Sequence, residues 1–134
     1  MYANGRGVQQ DDVEAVKWYR LAAEQGAAEA QNSLGFMYDT GRGVQQDDVE
    51  AVKWYRLAAE QGNAAGRYSL GAMYANGRGV PQDYVKAHMW FNLAAAQGDT
   101  AASSKRDEIA KRMTPEQVAE AQRLSRDWVV ANPP

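Results

Sequence analysis

The sequence reads as an all-α solenoid, with helices stacked pairwise, on three observations. Residues recur every 36 positions: Met1-Tyr2, Met37-Tyr38 and Met73-Tyr74 keep this spacing, as do Trp18, Trp54 and Trp90 and Gly26, Gly62 and Gly98. Residues 5–26 and 41–62 are identical at all 22 positions, and 77–98 keep the frame with changes that include Pro81, Tyr84, Lys86, His88, Met89 and Phe91. Apolar residues fall at helical spacing, and no period-two alternation runs long enough for a strand.

Each unit reads as a helix A followed by a helix B. Over 27–39, Ala30, Leu34, Met37 and Tyr38 make an apolar stripe that stops at Gly41, a left-handed C-cap position. The loop Gly41-Arg42-Gly43-Val44 follows, with Val44 turned back on the helix it leaves. Asp47 has the character of an N-cap, and Glu50 three residues on completes a capping box. Ala51, Trp54, Tyr55 and Ala58 then share one face, and Gly62 ends the helix. The spacing predicts B helices over 11–25, 47–61 and 83–97 and A helices over 27–39, 63–75 and 99–112. Gly35 and Gly71 lie inside A helices, where glycine costs about 1 kcal/mol against alanine. They imply a close backbone approach, and the alanine pairs Ala22-Ala23 and Ala58-Ala59 are the expected partners.

Both ends depart from the pattern. Met1-Tyr2 aligns with the end of an A helix, so 1–26 is expected to be a truncated first repeat, followed by repeats at 27–62 and 63–98. Residues 99–134 are expected to form a degenerate repeat and C-terminal cap, all within one domain over 1–134. Thr114-Pro115-Glu116-Gln117 is a helix start, with Thr114 as N-cap, Pro115 in the first position and Gln117 closing a capping box. The helix over 115–131 turns Val118, Ala121, Ser125 and Trp128 inward and Glu116, Glu120, Arg123, Arg126 and Asp127 outward, which suits the polar end of a solenoid.

The patterns A-x-x-x-L-G-x-M-Y-x-x-G-x-G-V-x-x-D and A-x-x-W-Y-x-x-A-A-x-x-G resemble the Sel1-like repeat, a relative of the tetratricopeptide repeat. Leu34, Gly35, Met37, Tyr38, Gly41, Gly43, Asp47, Trp54, Tyr55 and Gly62 carry the likeness in one unit, and it covers about 1–98. The resemblance implies a right-handed α/α superhelix, with helix A lining the concave side, and work as a protein-binding adaptor or scaffold. A cysteine-rich branch of that family closes each repeat with a disulfide. This chain has no cysteine, so nothing particular to that branch carries over.

Composition narrows the chemistry. Fifteen basic against seventeen acidic side chains lack the basic surplus of a nucleic-acid binder. No cysteine and a single histidine exclude thiolate sites and multi-histidine metal clusters. No apolar run is long enough to span a membrane. The first residues lack the pattern of a signal peptide; the start in mid-repeat keeps cytoplasmic and periplasmic locations both open. Gly5-Arg6-Gly7 and its copies lack a third glycine and follow a helix, so they read as turns rather than phosphate loops. Asp11, Asp12 and Glu14, with Asp47, Asp48 and Glu50, read as helix N-terminal charges rather than a cation site. His88 replaces Val16 and Val52, and no nucleophile or carboxylate is fixed beside it by sequence. No catalytic, cofactor or metal residue is therefore assigned.

Helix A varies on one side. Residues 27–40 and 63–76 agree at six of fourteen positions. At about 100° per residue, Glu29, Asn32, Phe36 and Asp39 lie opposite the apolar stripe, and the next unit has Ala65, Tyr68, Ala72 and Ala75 there. In a solenoid that exposed face forms the concave groove. Phe36 and Tyr68 read as exposed aromatic anchors, and Glu29, Asn32, Phe36, Asp39, Tyr68, Ala72 and Asn76 as the partner-binding set. The first functional expectation is a non-enzymatic scaffold that holds a protein or peptide in the groove. The alternatives are a hydrolase acting on cell-wall or β-lactam-like substrates, and a structural spacer within a longer array. The Ala15, Trp18, Tyr19 and Ala22 face of the first B helix points to a two-fold homodimer through the N-terminal end, with residues 1–10 folding back as the competing cover.

Overall fold

The computed structural model describes residues 6–133, with side-chain surroundings from residue 11 onward. The described residues form seven helices and no strand: α1 Arg6–Glu24, α2 Ala28–Thr40, α3 Asp48–Glu60, α4 Ala64–Asn76, α5 Tyr84–Ala96, α6 Thr100–Ala110 and α7 Pro115–Ala131. From α1 to α6 each helix packs on its neighbour in sequence, and α2 also touches α4, the pattern of an α/α solenoid.

The turns explain the glycine spacing. α2 and α4 end in left-handed caps at Gly41 (φ 72°) and Gly77 (φ 65°). Gly43 and Gly79 follow with φ 73°, and a Cβ on either would run into the carbonyl of Asp12 or Asp48 one unit earlier. Glycine is required there twice over, by the backbone conformation and by the seam between units. At the starts of α3 and α5, Asp47 and Asp83 accept from the N–H groups of Glu50 and Lys86. The expected capping box of Asp47 and Glu50 is only half formed. The Asp47 N–H donates instead to Tyr38 O at 3.0 Å, which leaves the Glu50 carboxylate no N-cap donor to close onto. Thr114 and Gln117 do form both halves, at 3.1 and 2.9 Å.

α1 departs from its expected bounds. Residues 6–10 are helical, although the same residues at 42–46 are loop. In the second unit α2 holds that loop, through Arg42 N–H to Met37 O and Asp47 N–H to Tyr38 O, both at 3.0 Å. The matching Met1 and Tyr2, and Gly5 of the expected turn, lie outside the described residues. Asp11 and Asp12 accordingly fall within α1 rather than at its cap. Tertiary partners, not local propensity, decide between the two conformations.

Val16, Ala23, Leu34, Met37 and Trp54 form one core cluster, with Val44 packed against it. Tyr55, Leu70, Met73, Trp90 and Phe91 belong to a second. The close approach at the mid-helix glycines is to aromatic rings, not to the alanine pairs. A Cβ at Gly35 would lie 2.7 Å from Tyr55 Cδ1, and one at Gly71 would lie 2.8 Å from Phe91 Cδ1. The alanine contact falls at Gly66, where a Cβ would come within 2.7 Å of Ala58 Cβ.

α6 and α7 do not make a fourth pair. In the 36-residue frame, Arg106 and Asp107 stand where Leu34-Gly35 and Leu70-Gly71 pack on a B helix. That face of α6 is polar, and Arg106 Nη1 donates to Asn92 Oδ1 at 3.0 Å. α7 packs on α5 instead. Trp128 meets Trp90 edge to face, with ring centroids 5.0 Å apart, and Ala121 and Ser125 are buried. α5 carries Met89, Asn92 and Ala96 where α3 has Lys53, Arg56 and Glu60, so α5 offers α7 an uncharged face that α3 lacks. Over 99–134 the chain thus holds an A-type helix followed by a helix that covers α5.

Candidate partner-binding clefts

Polar contacts repeat at each seam between units. Arg42 Nη2 lies 2.9 Å from Asp12 Oδ1, and Arg78 Nη2 lies 2.7 Å from Asp48 Oδ1. Gln61 Nε2 donates to Gly26 O at 2.9 Å, and Gln97 Nε2 to Gly62 O at 2.7 Å. Arg20 and Arg56 donate to the hydroxyls of Tyr38 and Tyr74 at 2.6 and 2.8 Å. Asp12 and Asp48 are thus seam residues, which N-terminal charge alone does not describe.

Along the A helices the units differ. Between α2, α3 and α4 the space is bridged. Tyr55 OH donates to Asp39 Oδ2 at 2.9 Å, Arg78 Nη2 lies 2.6 Å from Asp39 Oδ1, and Ser69 Oγ donates to Asn32 Oδ1 at 3.3 Å. Burial, and then the bond to Asp39, pushes the Tyr55 phenol far above its ordinary pKa, so it stays a donor. Hydrogen bonds to Asp48 and Asp39 raise Arg78 further. One unit on, Ala75 and Phe91 replace Asp39 and Tyr55, and the bridge has no counterpart. A cleft of about 360 Å³ lies there between α4, α5 and α6. Its apolar part is Tyr68, Ala72, Ala75, Phe91 and Ile109, and Asn76, Tyr84, Lys105, Glu108 and Arg112 supply polar groups. A second cleft of about 300 Å³ lies beside α1 and α2, lined by Tyr19, Asn32, Phe36 and Met37 with the Asp12–Arg42 pair.

The expected partner-binding set is divided by this geometry. Tyr68, Ala72 and Asn76 line the first cleft, and Asn32 and Phe36 line the second. Phe36 is 45% exposed. Glu29 is exposed in the first turn of α2 and lines neither. Asp39 is not a free surface carboxylate, because Tyr55 and Arg78 hold it. Tyr68 is half-buried rather than exposed, because Phe91 packs on it with ring centroids 5.6 Å apart. Residues of α6 and its C-terminal turn were not in the expected set. Their signal lies in the repeat positions: Lys105 stands where Ser33 and Ser69 do, Glu108 where Phe36 and Ala72 do, and Arg112 where Thr40 and Asn76 do.

His88 is buried, and its Nδ1 has no hydrogen-bond partner. Burial, and then the charge of Arg106, lowers its pKa, which keeps the ring neutral. Among the described residues, no group of three or more His, Cys, Asp or Glu is placed to hold a metal ion, and no helix is long and apolar enough to cross a membrane.

The sequence matches the Sel1 repeat over residues 1–26, 28–63 and 64–99. The chain belongs to the Sel1 repeat family. No curated protein matches it. Among solved structures, a protective antigen of uropathogenic Escherichia coli that displays an SLR fold is similar at a TM-score of 0.87 and 36% identity, over 90% of this chain and 26% of that one. A Sel1 repeat protein from Oxalobacter formigenes is similar at a TM-score of 0.69 and 44% identity, over 80% of each chain. The present chain thus spans 26% of the length of the E. coli antigen. Its three Sel1 matches make it a helical repeat protein.

Proposed function

We propose that this Sel1 chain is a non-enzymatic scaffold that holds a partner polypeptide along its A helices, across the two clefts. The observation that carries the reading is the run of Phe36, Asn32, Tyr68, Ala72 and Asn76 along α2 and α4, the side on which the two units differ. Aromatic groups beside open clefts are what interface anchors require. A hydrolase would need a nucleophile and a base converging in an enclosed pocket, and neither cleft is lined by histidine. Photo-crosslinking from positions 36 and 76, with Val49 on α3 as control, tests the reading. Val49 is 66% exposed and lines neither cleft. A discrete protein captured from 36 and 76 and not from 49 is expected. Equal capture at all three, or none at any, overturns it.

The exposure of Trp18, 65%, supports a second contact, between two copies through α1. Sedimentation equilibrium at micromolar concentration should give a mass that rises towards a dimer, and Trp18→Ser should hold it at the monomer. A wild-type monomer throughout overturns this contact.

A further inference from the structure

We infer that the cleft between α4, α5 and α6 takes one bulky apolar side chain of a partner peptide with a carboxylate beside it. This inference rests on the scaffold reading and gives it a chemistry. The site exists because two substitutions act together. At the same place one unit earlier, Asp39 bridges Tyr55 and Arg78. Here Ala75 is too short to reach across, and Phe91 has no hydroxyl to satisfy. The cleft therefore has a floor without unmet polar groups, formed by Ala72, Ala75, Phe91 and Ile109. At about 360 Å³ it lies near the lower limit of small-molecule sites, which suits one anchoring side chain.

The charges at the rim select the neighbour of that side chain. α6 and the turn after it bring Lys105, Glu108 and Arg112 to positions that are uncharged in α4: Ser69, Ala72 and Asn76. Lys105 Nζ lies 3.6 Å from Glu108 Oε1, with both side chains more than half exposed. Arg112 is exposed at the same rim. Two cations against one anion leave a net positive rim. At the neighbouring places the balance differs: Arg42 is matched by Asp12, and Arg78 faces both Asp39 and Asp48. A peptide carboxylate is thus favoured at this cleft over the others along the A helices.

Two acetylated, amidated hexapeptides probe the assignment, one with phenylalanine followed by two glutamates and one with phenylalanine followed by two lysines, in glycine. A third has alanine for phenylalanine. Amide and methyl NMR shifts of the intact chain are followed up to about 1 mM peptide, a range suited to a single anchor. The acidic phenylalanine peptide should shift Ala72, Ala75 and Ile109 and bind about tenfold more tightly than either control, with the margin shrinking as salt screens the rim. Lys105→Glu with Arg112→Glu should remove the preference for acid, and Ala75→Leu should block the floor. Equal binding of the acidic and basic peptides, shifts confined to Phe36 and Asn32, or no shift at all overturns the inference. None of these outcomes affects capture of a partner by crosslinking from position 36, so the scaffold reading stands or falls separately.

Discussion

Trp18 and Trp54 hold the same position in two identical 22-residue segments, yet Trp18 is 65% exposed and Trp54 is 6% exposed. Trp54 packs among Val16 and Ala23 of α1 and Leu34 and Met37 of α2. Trp54→Ala should therefore cost about 3–5 kcal/mol as a core truncation. Trp18→Ala, measured at a concentration where the chain is monomeric, should change stability by less than about 1 kcal/mol. Urea denaturation of the two variants checks this; similar losses would mean that Trp18 is covered in solution.

Gly35→Ala should destabilise despite the better helix propensity of alanine. The helix gains about 1 kcal/mol, but overpacking a core position costs about 1–3 kcal/mol. The new methyl would sit 2.7–2.8 Å from two ring atoms of Tyr55. A lower thermal midpoint is expected, and Gly71→Ala should show the same against Phe91. A raised midpoint for both would show that the rings shift at little cost.

Asp39 and Tyr55 should prove energetically coupled. Each of Asp39→Ala and Tyr55→Phe removes one partner of a half-buried hydrogen bond, at about 1 kcal/mol. The double variant reproduces the natural Ala75 and Phe91 pair. Its loss should be smaller than the sum of the singles, by about 0.5–1 kcal/mol. Four denaturation curves close the cycle, and strict additivity would argue against the bridge.

His88 should make the fold acid-sensitive. Burial lowers its folded pKa below the unfolded value of about 6.5. Above that value the ring is neutral in both states and contributes no pH dependence. As pH falls from there towards the folded pKa, the unfolded chain takes a proton that the folded chain refuses, so stability drops. Asp107 partly offsets the shift, and Arg106 adds to it. His88→Val, the residue at positions 16 and 52, should lose less stability than wild type between pH 7.5 and 5.5. Equal losses would show that carboxylates alone set the acid response.

The helix pairs were legible because Leu34, Met37, Trp54 and their copies repeat with turns that only glycine fits. The two clefts were only half legible. Phe36 and Tyr68 were visible as variable aromatics, but the burial of Tyr68 depends on Phe91, which lies 23 residues away in sequence. Asp39 read as a surface carboxylate because its partner Arg78 belongs to the loop of the next unit. The position of α7 was hidden for a related reason. A cap's partner is set by which face has lost its charges, here Met89, Asn92 and Ala96 on α5, and that comparison means little until α7 is known to lie there.

The repeated seam contacts give the molecule a direction of disassembly. The Asp12–Arg42 pair recurs as Asp48–Arg78, but the second seam adds the Asp39–Arg78 pair, so the first is the less tightly joined. The ends are not copies. α5 is sheathed by α7 through Trp90 and Trp128, whereas α1 of the single chain leaves Trp18 exposed. Cooperative units come apart from the end that is less sheathed and less tightly joined. Amide protection should therefore climb from α1 through α3 to α5, and a load applied along the array would peel it from the α1 side first.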